Sequence, residues 1–273
     1  MKIARLEHDG RAVWGIVGEQ SVELLPGAHD YAEALAAAAS AAGRTALPHT
    51  DVRWLPPVLP GAKIICAGLN YGRHAQEMDR GPGSYPSVFP RYADSFVGHG
   101  DEVVCPMNSE QLDYEAELAV VIGKTARHVP VERAMEYVGG YTCMAENSVR
   151  DFQMHNRQAT PGKNFERSGA LGPWIVPADA LKDPREVRVI GRLNGDEVQN
   201  GGLDDLIFSI PVLVSYLSAF TTLRAGDIIA TGTPEGVGMT RKPPRYLRPG
   251  DRFEVEVTGV GVLRHDARQE DRA

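Results

Sequence analysis

Leu112-Asp113-Tyr114-Glu115-Ala116-Glu117-Leu118-Ala119-Val120-Val121-Ile122-Gly123 is the stretch on which the reading of this chain turns. Its tail, LAVVIG, has the composition of a buried β-strand. On a strand, residues i and i+2 share a face. Glu115 and Glu117 therefore stand side by side, next to a segment that favours a dry environment. Two unpaired carboxylates there repel each other and lose hydration, at a cost of several kcal/mol each. A hard divalent cation such as Mg²⁺, Mn²⁺ or Ca²⁺ removes both problems, because it prefers oxygen ligands. The other reading open at this point is an edge strand whose polar face is wet. Asp113, two residues earlier, is a candidate third ligand.

The chain has 273 residues, 42% hydrophobic and 24% charged, the composition of an ordinary soluble globular protein. A net charge of −7 argues against nucleic acid as a partner. Cys66, Cys105 and Cys143 are odd in number and form no CxxC, which speaks against a disulfide framework or a thiolate zinc site. Cys66 and Cys143 read as small core residues. The amino terminus lacks a signal-peptide apolar region, and no apolar run approaches a membrane span, so a cytoplasmic protein without membrane contact is expected.

Residues 1–25 read as two short strands around Asp9-Gly10 and a third at Ser21 to Leu25. Tyr31 to Ala42 is expected to be an alanine-rich helix. The breaker cluster from Leu55 to Gly61 divides a small N-terminal α+β subdomain, 1–57, from a larger domain, 58–273. There, strands are expected at KIICAG, Gly139–Glu146, Glu186–Asn194, Asp227–Thr231 and Arg252–Thr258. A short helix follows Gly72, and Ile207 to Phe220 has helical spacing of Ile210, Leu213, Val214 and Leu217. There is no GxGxxG or GxxxxGK[ST]. The fold class is α+β, mostly β.

Several residues have the types needed for chemistry. His74 and Glu77 are three apart on the short helix, so the carboxylate can orient the imidazole as a general base; the alternative is a surface ion pair. Lys163, in Thr160-Pro161-Gly162-Lys163, either presents its ammonium to a substrate oxygen or is a solvated turn lysine, and local features favour the latter. Arg150, Asp151 and Gln153 read locally as a solvated loop. The Gly-rich stretch from Ala230 to Gly238 offers backbone N–H groups to an anion, or simply makes tight turns.

Taken in order, GLNYGRHAQE, VFPRYADSFVGHGD, DYEAELAVVIGK, GYTCMAENSVRDFQ, TPGKNF, LNGDEVQ, FSIPVLVSYLS and RAGDIIATGTPEGVG make the chain from Lys63 onward resemble the fumarylacetoacetate hydrolase superfamily. Residues 1–57 resemble its variable N-terminal part only loosely. The resemblance implies a mixed β-roll or sandwich, and a homodimer. It implies Mg²⁺ or Mn²⁺, with Ca²⁺ able to stand in within crystals, held by Glu115, Glu117 and Glu146. The third ligand is usually an aspartate, so Glu146 departs from the pattern by one methylene and displaces Asp113 as the candidate. His74 and Glu77 match the catalytic dyad and Lys163 the substrate-polarising lysine. Gln153 and Thr233 match substrate-lining positions, and Arg150 a supporting one. The implied activity is hydrolysis of a C–C bond in a 2,4-dioxo acid such as an acylpyruvate, fumarylpyruvate or a sugar-derived acid. The runner-up is isomerisation or decarboxylation of a dienol dicarboxylate or oxaloacetate at the same site. The substrate partner is a small 2-oxo acid, with selectivity expected from the loop Asp79 to Tyr85 and from Arg73, Arg80 and Tyr85.

Overall fold

The strand Ala116–Ile122 is buried at every position. Ala116, Leu118, Val120 and Ile122 belong to one hydrophobic core, while Ala119 and Val121 belong to a second on the opposite face. A strand dry on both faces needs a covering layer on each, and the wet edge strand is thereby set aside. The architecture comes from a computed structural model that describes residues 1–40, 43–81, 83–156, 158–181 and 186–271.

The chain opens with β1 (Ile3–His8), β2 (Arg11–Val17), β3 (Ser21–Leu25), helix α1 (Tyr31–Ala38), β4 (Ala46–Pro48) and β5 (Arg53–Leu55). Next come β6 (Ile64–Gly68), α2 (Gly72–Glu77), β7 (Ser87–Arg91), β8 (Phe96–Val97), β9 (Glu102–Cys105) and β10 (Leu112–Asp113). The central segment is β11 (Ala116–Ile122), β12 (Val138–Ala145), β13 (Ser148–Val149), α3 (Arg150–Gln153), α4 (Thr160–Lys163) and β14 (Gly169–Pro177). The last third supplies β15 (Arg188–Leu193), β16 (Asp196–Gly202), α5 (Ile210–Phe220), β17 (Ile228–Ala230), β18 (Arg252–Val257) and β19 (Gly261–Gln269). The fold is mostly β and of the α+β class, as the sequence predicts.

The larger sheet runs β4-β3-β2-β1-β14-β12-β11-β17-β6-β7, with β5 on β1 and β8 on β14. The smaller runs β16-β15-β18-β19-β9 and lies across β11, β12 and β14. Phe253, Val255, Val257 and Leu263 of the small sheet share the first core with Leu118, Val120, Ile122 and Cys143 of the large one. This core also takes the apolar stripe of α5, whose Ile210, Leu213, Val214 and Leu217 are all buried.

The N-terminal strands continue the large sheet through Ile3 opposite Ile175. Ile3, Trp14, Leu25 and Tyr31 complete the second core with Ile64, Cys66, Leu171 and Ile175. Asp30 caps α1 by accepting from the Glu33 N–H at 2.8 Å. The helix ends at Ala38; of the stretch expected to extend it, residues 41 and 42 lie outside the described residues, as does Pro82 of the 79–85 loop. Cys66, Cys105 and Cys143 are free and buried. Among the described residues no helix is long and apolar enough to cross a membrane.

Candidate metal centre and active site

Strand alternation places the carboxylates. Glu117 lies on the face of β11 that carries Ala119 and Val121, and Glu115 precedes it by two. Glu117 stands opposite Met144 of β12, and Met144 belongs to the same second core. Glu146 follows Met144 by two residues and so points the same way. Its backbone N–H donates to the Glu115 carbonyl at 2.9 Å, which carries the pairing past the end of β11. One oxygen from each of Glu115, Glu117 and Glu146 lies within 4.8 Å of the other two. All three residues are buried, none more than 4% exposed.

Three cations reach this cluster from other elements. Lys163 ends α4, which backs onto α3 so closely that a Cβ at Gly162 would overlap the Gln153 and Val149 backbone. That seating puts the Lys163 ammonium 3.1 Å from both Glu115 oxygens and against Glu146 Oε2. Burial favours neutral lysine, but Glu115 and Glu146 outweigh it and hold the ammonium charged. Arg150 spans Asp113 and Glu115, each at 2.8 Å, and Arg91 meets Glu146 Oε1 at 2.8 Å. The solvated readings of Lys163 and Arg150 do not hold; both side chains are buried.

Charge does not balance at Glu117. Among the described residues it accepts one hydrogen bond, from the Gly232 N–H at 2.9 Å, and pairs with no side-chain cation. Burial, with Glu146 and Glu115 alongside, pushes its carboxyl well above the usual range. Burial also works against ionised Glu115, yet Lys163 and Arg150 prevail and hold it below that range. Among the described residues, and counting Asp113, four buried carboxylates face three buried cations. A set of convergent carboxylate oxygens with one excess negative charge fits a hard divalent cation such as Mg²⁺ or Mn²⁺. Asp113 is not available to it: its oxygens take Arg150 and the N–H groups of Gly238 and Met239.

His74 and Glu77 lie beside this cluster. Asn70 fixes the entry to α2, donating to the carbonyls of Phe208 and Thr231 and accepting from the Phe208 N–H. His74 Nδ1 sits 3.0 Å from Glu77 Oε2. The Glu77 carboxylate also accepts from the Gly236 N–H at 3.0 and 3.2 Å and from Thr240 Oγ1 at 2.7 Å. Gly236 has φ +100°, which glycine adopts without strain. Burial raises Glu77, but His74, Thr240 and Gly236 together bring it below the usual carboxylate range. His74 is 5% exposed and within electrostatic reach of Glu115. The geometry is that of an oriented imidazole rather than a surface ion pair.

The remaining candidates differ in placement. Gln153 accepts from Arg150 Nη1 at 2.9 Å, next to the carboxylates. The Thr233 hydroxyl is engaged within the fold, donating to the Ala116 carbonyl and accepting from Gln199 Nε2. Arg73 pairs with Asp205 and Glu235. Tyr85 is 72% exposed, its ring 6.3 Å from that of Tyr216. Residues the sequence reading passed over include Arg91, Ser148, whose hydroxyl donates to Glu115 at 2.7 Å, and Thr240. Arg91 carried a signal, a charge in the apolar strand VFPR, of the same kind as Glu117. Thr240 carried none.

A family model described as fumarylacetoacetate (FAA) hydrolase C-terminal matches residues 63–268, and one described as Rv2993c-like, N-terminal matches residues 1–57. The mitochondrial oxaloacetate tautomerase FAHD2A of Homo sapiens is 40% identical over 82% of this chain and 72% of its own length. Among solved structures, a fumarylacetoacetate hydrolase from Exiguobacterium antarcticum is 34% identical with a TM-score of 0.87, covering 99% of this chain and 100% of that one. A maleylpyruvate hydrolase from Sphingobium sp. SYK-6, in complex with manganese(II) and pyruvate, is 30% identical with a TM-score of 0.82 and the same coverage.

Proposed function

The chain belongs to the fumarylacetoacetate hydrolase family, and on that premise we propose that it is a metal-dependent tautomerase of oxaloacetate or a closely related 2-oxo acid. The observation that carries the reading is the convergence of three buried carboxylates and Lys163, with the His74–Glu77 dyad tied to them by one loop whose Gly232 N–H meets Glu117 and whose Gly236 N–H meets Glu77. The oxaloacetate tautomerase among the relatives supports the choice of substrate.

Tautomerisation moves one proton between C3 and the oxygen on C2. It needs a group that takes and returns that proton, and groups that bear the enolate charge in between. A divalent cation held by Glu115, Glu117 and Glu146 would act as Lewis acid and template for the carboxylate and adjacent carbonyl of the acid. With the cation bound and all four carboxylates ionised, the buried cluster would carry one excess positive charge, which suits an anionic substrate. The Lys163 ammonium donates a hydrogen bond to the oxygen on which charge develops. His74 takes the C3 proton at Nε2, since Nδ1 is engaged by Glu77, and returns it to oxygen. Glu77 orients the ring through Nδ1. Gln153 lines the substrate, and a second copy of the chain is the proposed partner in a homodimer.

Hydrolytic cleavage of a 2,4-dioxo acid is the second reading. The dyad serves it equally, because an oriented imidazole can also take a proton from water, and the manganese–pyruvate complex of the maleylpyruvate hydrolase supports it. The test is a panel with Mn²⁺: decay of enol-oxaloacetate, cleavage of acylpyruvates, and CO₂ release. Enol decay accelerated well beyond Mn²⁺ alone, and reduced by about 10²-fold or more in His74→Asn, is the expected result. Acylpyruvate cleavage without enol decay would move the assignment to hydrolysis, and CO₂ release to decarboxylation.

A further inference from the structure

We propose that Arg91 is a positioning residue that fixes Glu146 as a one-oxygen ligand of the metal centre. The inference rests on the proposed metal reading and adds a residue to it. Arg91 closes β7, and its side chain is fully buried. Nη1 donates to Glu146 Oε1 at 2.8 Å and to the Asn147 carbonyl at 3.1 Å. Nη2 donates to Ser168 Oγ at 3.0 Å and Nε to Ser95 Oγ at 3.2 Å. Both serines spend their own protons on backbone carbonyls, Ser168 on Phe165 and Ser95 on Tyr92, so each presents lone pairs to the guanidinium. The guanidinium also lies 4.3 Å from the Phe96 ring centre. A group held on this many sides cannot swing.

The consequence falls on Glu146. A glutamate has one more torsion than an aspartate, and a free Glu146 would sample several positions for its two oxygens. Arg91 takes Oε1 and thereby leaves Oε2 on the side of Lys163, the ammonium that also holds Glu115. The fork of a guanidinium serves both the carboxylate and the serines; an ammonium at this position serves one or the other. Partners that hold a metal ligand are worth about 10–100-fold in metal affinity.

The experiment is Mn²⁺ titration of the full chain, followed by the electron paramagnetic resonance signal of free Mn²⁺, with melting temperature measured in parallel. Arg91→Lys is expected to weaken Mn²⁺ binding about 10–100-fold with little change in melting of the metal-free protein. Wild-type affinity in a folded Arg91→Lys variant overturns the proposal. Should Arg91→Lys fail to fold, Ser168→Ala decides, because it frees Nη2 while keeping the charge. A loss of about two- to five-fold supports the proposal and unchanged affinity overturns it. A wild-type chain that binds no Mn²⁺ would instead refute the metal reading itself, a distinguishable outcome.

Discussion

Glu117 is the residue at which burial and charge conflict most sharply. Its folded-state pKa is raised by burial and by Glu146 and Glu115. The folded chain therefore holds a proton that the unfolded chain has released, and metal-free stability falls as pH rises through the window above the ordinary carboxylate pKa. Glutamine keeps the shape and the acceptor for Gly232 and removes the charge. Calorimetry of metal-free Glu117→Gln at pH 8 should show melting about 2–4 °C above wild type, with no further rise on adding Mn²⁺. Wild-type melting at pH 8 together with a preserved Mn²⁺ response would show that Glu117 is neither strained nor a ligand. The Glu115–Glu117 pair was legible because strand periodicity is local, and two acids beside LAVVIG contradict their surroundings on sight. Lys163 misled for the matching reason. A turn lysine is usually solvated, and only the packing of α4 on α3 buries this one.

At the scale of elements, α2 is six residues long, too short to persist alone. It is held by Asn70 at its entry and by the clasp of Glu77 on the 236–240 loop. Thr240→Val removes one of the bonds that lower Glu77 and leaves the dyad in place. The Glu77 pKa should then rise, read as a shift of its side-chain carboxyl ¹³C titration to higher pH. Mn²⁺ affinity should not change, since Thr240 touches no carboxylate of the metal set. An unmoved Glu77 titration would show that the Thr240 hydroxyl does not hold this carboxylate. The existence of most strands and of α5 followed from their apolar periods. The clasp did not, because its partners are 163 residues apart and nothing in either segment encodes the other.

Across the whole molecule, the N-terminal strands share a sheet and a core with the body. Tyr31 of α1 donates to the Gly139 carbonyl at 3.1 Å, and Trp14 is buried in the second core. Deleting residues 1–57 would strip one face of β14 and expose Leu171 and Ile175. Loss of soluble, cooperatively melting protein is the expected outcome; a truncated chain melting within a few degrees of wild type would show that the core closes without them. From the chain alone came the class of fold, most of the strands, and the pairing of Glu115 and Glu117 on one strand face, with a divalent cation as one of two readings of that pair. Each of these depends on residue type and on a period of two or 3.6, which are properties of contiguous chain. The family resemblance named Glu146 beside Glu115 and Glu117, but the fold was needed to show how Glu146 reaches the face of Glu117, that Asp113 is spent on Arg150 and backbone N–H groups, and that Arg91 grips Glu146. Those outcomes depend on which strands become neighbours and in what register, and register is set by the burial of the whole sheet rather than by any one segment.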